Sequence, residues 1–262
     1  MVLAPWNAPE PLARAWCLFE LYATVVEGKP FSVGFVPAER RKFEAALEED
    51  STVFLDVLAR INVADAQAGR PEDLRMILDE VQRMEGGCAR LNAVAIGEMR
   101  AAVLGIVRDM VATRRAAGRL GSLMAVANLL ANLGEGDEAR RLYTEVIEGR
   151  TAQLGAQHPD TLTAKNNLAC LLVDLGERGE ARRLYMEVIE GYTVQLGAQH
   201  TDTLGAKLNL ACLLQNLGEH DEARRLYTEV IEGYTAQLGA QHTATLRAKN
   251  NLAVLLFAGA EI

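Results

Sequence analysis

The chain predicts a mainly α-helical fold, a solenoid of stacked helix pairs preceded by a small, partial α/β segment. Three observations carry that expectation. The phrase QLGAQH recurs at 153–158, 195–200 and 237–242, always 42 residues apart. Inside each repeat, leucines return at spacings of three and four, which places them on one stripe of a helix. Half of the 262 residues are apolar but only 5% are aromatic, a mixture in which small residues let helices approach closely.

The first 118 residues do not repeat. ARAWCLFELYATVV (13–26) predicts an amphipathic helix, FSVGFV (31–36) a short buried strand, and PAERRKFEAALEED (37–50) a second helix. Pro37 suits the first turn of that helix, where a missing N–H is no loss. Helical patterns follow at about 51–62, 71–85 and 90–117, separated by AGRP and EGG. Residues 1–70 therefore read as the α/β segment, 71–118 as a helical connector, and 119–258 as the repeat region.

The repeat region divides into units at about 119–158, 159–200 and 201–242, with a partial fourth at 243–258. Residues 155–196 and 197–238 are identical at 33 of 42 positions, which fixes the register. In each unit a first helix carries the stripe Leu168, Leu171, Leu172 and Leu175, and Gly176 ends it as a left-handed residue. A second helix turns Ala181, Leu184, Tyr185, Val188 and Ile189 inward, with Arg182 and Arg183 outward and Glu187 within reach of Arg183. Pro159 and Asp160 start the next unit, where a proline and an acidic residue both suit a helix N-terminus. One such hairpin cannot bury both of its faces, and stacking copies buries the stripe continuously.

The two ends depart from the pattern. The first unit has SLMAVANLL where later ones have AKNNLACLL or AKLNLACLL, so it reads as a cap. The last segment is the first helix of a unit without its second. Its stripe, Leu252, Leu255 and Leu256, is expected to pack back on unit three and leave the far side uncovered. Either the sequence is cut short or that side pairs with another chain, a route to self-association.

HPDTLTAKNNLACLL, Gly176, EARRLY and LGAQH together resemble tetratricopeptide repeats, specifically the 42-residue variety of kinesin light chain and nephrocystin-3-like proteins. Ala169, Ala181, Tyr185 and Val188 fall where that pattern places its packing residues. The resemblance implies a right-handed α-solenoid whose concave groove binds partner polypeptides. Upstream, RAWCLFEL resembles the TIR-domain helix that carries W-x-x-x-E, followed there by a strand such as FSVGFV. That second resemblance implies an alternative function, cleavage of NAD with Glu20 as the essential carboxylate, one turn after Trp16. The other reading of Trp16, Leu18 and Leu21 is core packing, with Glu20 at the surface or paired to an arginine. The strands that complete such a domain's pocket would lie before residue 1, and no Gly-rich phosphate loop occurs.

Composition narrows the remaining functions. A net charge of −8, without a basic stripe, argues against nucleic acid. No stretch approaches the ~18 apolar residues of a membrane span, and the proline-rich start is unlike a secretory signal. Cys17, Cys88, Cys170 and Cys212 form no C-x-x-C pair, which argues against zinc and a disulfide framework and for a cytoplasmic location. His158, His200 and His242 are too far apart in a stack to share a metal and are expected to cap the next helix. No nucleophile–base set can be assembled, and the carboxylates recur in every copy as a solvated face would. A non-catalytic protein with no metal or cofactor is the expectation.

Candidate site residues come from where the copies differ. Thr163/Gly205, Asn166/Leu208, Val173/Gln215 and Asp174/Asn216 lie on one face of the first helix, and Arg247, Asn250, Phe257 and Ala258 change it again. The tetratricopeptide resemblance places this face in the concave groove, so the packing text is copied and the groove text varied. Drift at solvent-facing positions is the other account. Asn167, Asn209 and Asn251 stay in register, and a carboxamide can both donate to and accept from an extended peptide backbone. Arg247 is the single cation on the varied face, with Lys165, Lys207 and Lys249 one position off it. That scarcity favours an internal peptide segment over a terminal carboxylate.

Overall fold

The computed structural model describes residues 2–3, 5, 7, 13–29, 34–50 and 52–258, apart from the side chains of Val2, Leu3, Trp16, Val53 and Ala258. Internal packing divides the chain into two compact units, Met1–Glu135 and Gly136–Ile262. The first contains α1 (Ala15–Val26), α2 (Pro37–Glu49), α3 (Val53–Ala59), α4 (Pro71–Arg83), α5 (Gly87–Ala116) and α6 (Leu120–Asn132). Long α5 is its centre, because Leu91, Ala95, Met99, Val103 and Val107 recur every four residues and are all fully buried. Helices α1, α4 and α6 pack against it. Phe43 on α2 stands between Phe35 and Phe54, with ring centroids 5.4 and 6.0 Å away.

Two expectations for this unit need correction. The strand expected over FSVGFV is only Gly34–Phe35 (β2), paired in parallel with Val2–Leu3 (β1), and residues 31–33 lie outside the described residues. Gly34 and Phe35 are half-buried, since a two-residue ladder is too short to be enclosed. The helix expected at 51–62 is the shorter α3. Past it, the Asn62 carboxamide accepts the Ala64 N–H at 3.2 Å and caps a short 3-10 turn, Val63–Asp65. Asn92 secures that turn by accepting the Val63 N–H at 2.9 Å.

The second unit is the α-solenoid that the repeats foretell. Helices α7 (Gly136–Leu154), α8 (Pro159–Asp174), α9 (Arg178–Leu196), α10 (Thr201–Asn216), α11 (His220–Leu238) and α12 (Thr243–Ala258) each pack against the next. The first helices of successive repeats also meet, α10 touching both α8 and α12. Gly176 and Gly218 end α8 and α10 with φ of 82° and 80°, a region glycine enters freely. Ala181, Leu184, Tyr185 and Val188 are buried as expected, and Ile189 is half-buried. Leu175 and Leu256 leave the expected stripe and are 41% and 47% exposed. Leu175 follows the last turn of α8, so helical periodicity no longer aims it inward.

Three kinds of contact recur from repeat to repeat. At Gly191 a Cβ would stand 2.7 Å from Leu162 Cδ1, and at Gly233 2.6 Å from Leu204 Cδ1. In these two repeats the second helix therefore receives a leucine of its first helix directly against its glycine. Arg140 donates to Glu177 at 2.6 Å and Glu180 at 3.2 Å, and Arg182 reaches Glu219 at 2.7 Å and Glu222 at 3.6 Å. Lys165 and Lys207 are buried and paired with Glu187 and Glu229. The repeating carboxylates are thus links within and between repeats, not simply a solvated face.

Candidate functional site

The loops that start each first helix are fixed by two hydrogen bonds. Imidazole Nδ1 of His158, His200 and His242 accepts the backbone N–H two residues on, at 3.2 Å in all three. One residue further, buried Thr161, Thr203 and Thr245 donate at 2.9 Å to the carbonyls of Gly155, Gly197 and Gly239. The three histidines are helix caps, each in its own loop. Among the described residues no group of His, Cys, Asp and Glu is placed to hold a metal ion.

With the loops fixed, the first turns of α8, α10 and α12 come side by side and border an open cleft of about 400 Å³. Thr163 and Asn166 reach it from α8, Asp202, Gly205 and Asn209 from α10, and Arg247 from α12. Two tyrosines at the ends of the second helices, Tyr192 and Tyr234, close its floor. Both are 4% exposed, and burial pushes both phenols above their usual range. The Thr163 hydrogen bond partly offsets the shift at Tyr192, and the Arg247 charge does so at Tyr234. The walls are mostly polar: hydroxyls, carboxamides, one carboxylate and one guanidinium. Such a surface can exchange hydrogen bonds with a ligand that presents both donors and acceptors.

Of the residues chosen from sequence, Thr163, Asn166, Gly205, Asn209 and Arg247 meet in this cleft. Asn209 donates to Asn166 Oδ1 at 3.3 Å and to the Cys170 sulfur at 3.7 Å. Asn251 repeats the second contact with Cys212 at 3.3 Å, while Asn167 is half-buried on α8. Asn209 and Asn251 therefore stitch α10 to α8 and α12 to α10. Leu208 is 2% exposed and belongs to the packing, its alkyl chain replacing the carboxamide of Asn166. Val173, Asp174, Gln215 and Asn216 lie at the far ends of α8 and α10, Asp174 and Asn216 exposed and the other two half-buried. Gln215 is engaged there by the Tyr227 hydroxyl at 2.8 Å. Asn250 and Phe257 are exposed on α12. Lys165 and Lys207 are withdrawn into their ion pairs, and Lys249 is exposed and donates to the Ala240 carbonyl at 3.3 Å.

Glu20 is exposed on α1, where its backbone carbonyl accepts the Thr24 hydroxyl. The Trp16 side chain lies outside the described residues. Sequence reasoning missed Tyr192 and Tyr234. The signal was EGY at 190–192 and 232–234 against EGR at 148–150.

A family model described as tetratricopeptide repeat matches residues 119–193 and 202–261. Two solved structures of a Podosopora anserina kinesin light chain with nearly identical TPR-like repeats are similar to this chain. They align at 22% and 23% identity, with TM-scores of 0.53 and 0.52, covering 74% of this chain and 90% of each of theirs. BtubC (BKLC) from P. vanneervenii aligns at 21% identity with a TM-score of 0.49 over 62% of this chain, which spans 64% of that protein. The two P. anserina structures support the fold. No curated protein matches the chain. Among the described residues no helix is long and apolar enough to cross a membrane.

Proposed function

We propose, from the premise that this chain belongs to the tetratricopeptide repeat family, that its repeats bind an extended segment of a partner protein across α8, α10 and α12. The chain acts as a non-catalytic scaffold or adaptor, in the manner of the kinesin-light-chain-like proteins its repeats resemble. One observation carries this reading: four of the residues at which otherwise copied repeats differ, Thr163, Asn166, Gly205 and Arg247, meet in one open, polar cleft. A peptide backbone presents alternating N–H and C=O groups, and the Asn166 and Asn209 carboxamides can answer both.

The test is capture of partners by the full chain and by Asn209→Ala. Asn209 makes long contacts only, so its loss costs stability no more than about 1 kcal/mol and leaves the fold in place. Partners captured by the wild type should be depleted at least severalfold on the variant. Equal capture would remove the groove assignment.

A second reading, self-association, has its own observation. On α12, Val254, Leu256 and Phe257 are 51%, 47% and 76% exposed. Sedimentation as a monomer at high concentration would discount it.

A further inference from the structure

Repeats two and three differ at the floor of the cleft, and the difference leaves one hydroxyl short of a partner. In repeat two the Thr163 hydroxyl lies 2.8 Å from Tyr192 Oη. In repeat three the equivalent residue is Gly205, and Tyr234 Oη keeps only a 3.5 Å contact with the Thr201 carbonyl. Tyr234 is 4% exposed, its ring packed in place and the residue lining the open cleft. A hydroxyl that faces the cleft without a good protein acceptor is left to be satisfied by what enters the cleft.

Packing does not demand this glycine. A Cβ on Gly191 or Gly233 would run into leucine and glutamine side chains at 2.5–2.9 Å. On Gly205 it would meet a single atom within 4 Å, Tyr234 Oη, at an ordinary 3.4 Å. A glycine within a helix is less favourable than alanine, so Gly205 lowers helix stability for no packing return. What it leaves is a notch one short side chain deep, open to the cleft, with Tyr234 Oη at its end. Arg247 lines the same cleft and favours an oxygen that carries negative charge, while Asp202 on the cleft wall opposes it.

We propose that the Gly205 notch is a specificity pocket that admits one short, oxygen-bearing side chain (serine, threonine or aspartate) of the bound segment. The ligand then gives Tyr234 what Thr163 gives Tyr192. This rests on the reading of the cleft as a peptide groove. The repeat itself supplies the template, because repeat two fills its own notch with a threonine.

The experiment selects random dodecapeptides by display on the full chain, then measures the winners by fluorescence anisotropy. Each is titrated against wild type, Gly205→Thr and Tyr234→Phe. Gly205→Thr installs the residue repeat two already carries, so its melting temperature should stay level or rise while affinity falls about tenfold or more. Tyr234→Phe should weaken binding with little change in melting temperature. The selected peptides should share Ser, Thr or Asp at one position, and Ala there should cost the wild type about tenfold and cost Gly205→Thr nothing further. An Asp preference that fades with salt would add Arg247 to the pocket, whereas a salt-independent Ser or Thr preference would make the hydroxyl the recognised group. Peptides that bind wild type and Gly205→Thr equally, or accept Ala or Leu at every position without loss, overturn the pocket and leave the groove standing. Failure of the wild type to retain any peptide overturns both.

Discussion

Repeats two and three share most of their text, yet two of their glycines do opposite work. Gly191 and Gly233 are copied, and a Cβ at either would stand 2.5–2.8 Å or 2.6–2.9 Å from neighbouring side chains. Gly205 replaces Thr163, and a Cβ there would merely touch a hydroxyl at 3.4 Å. In sequence all three are glycines within helices. The lesson is that the chain repeats a residue where one helix must fit the next, and changes it where a side chain meets open cleft.

The comparison breaks first at the copied glycines. Gly191→Leu and Gly233→Leu should each lose about 3 kcal/mol, the upper end for overpacking, and lose it equally. Urea unfolding of both variants measures this. A repeat that tolerates leucine would show that the copied contact is not the same contact twice.

A smaller effect separates the repeats at another varied position, Val173 in repeat two and Gln215 in repeat three. Tyr185 Oη meets the Cys170 sulfur at 3.2 Å and has Val173 for a neighbour in sequence register. Tyr227 Oη meets the Cys212 sulfur at 3.4 Å and also donates to Gln215 Oε1 at 2.8 Å. Tyr227→Phe should therefore cost about 1 kcal/mol more than Tyr185→Phe. Burial raises both phenols well above the usual 10. A raised folded-state pKa means that the stability these groups bring is complete below pH 10 and drains away as pH rises above it. Melting temperatures from pH 8 to 11 should fall above pH 10, and each Phe variant should flatten part of that fall.

Much of this was legible because repetition marks it. The 42-residue period, the stop at Gly176, the proline at 159 and the inner face of α9 all follow from local spacing, and the structure places them accordingly. Four cleft residues, Thr163, Asn166, Gly205 and Arg247, were legible by their variation, and Asn209 by staying in register. Leu208 was not, because a varied position says nothing about whether the new side chain turns inward. Tyr192 and Tyr234 were hidden for the opposite reason: they recur, and recurrence reads as packing. The arginine links were hidden by distance, since Arg140 and Glu177 are 37 residues apart and no helical spacing joins them. The first unit has no period to read, and there an extended strand and a longer helix were expected where a two-residue ladder and an Asn-capped turn occur.

The smallest expected effect lies in those links. Arg182 and its partner Glu219 have side chains 37% and 38% exposed, and Arg140 and Glu177 are each 39% exposed. Half-exposed pairs of this kind are worth about 0.5 kcal/mol, because solvent screens the charges and two long side chains must be held still. Arg140→Ala and Arg182→Ala should each lose that amount at low salt and almost none in 1 M NaCl, where the screening length is about 3 Å. The closer second prong at Arg140, 3.2 Å to Glu180 against 3.6 Å from Arg182 to Glu222, sets the direction of any residual difference. In a solenoid each junction contributes its own nearest-neighbour stability, so equal losses would show that the two junctions are copies in energy as well as in text. A loss at Arg182 well beyond that at Arg140, persisting in salt, would instead place a distinct strain between repeats two and three, beside the cleft where their sequences part.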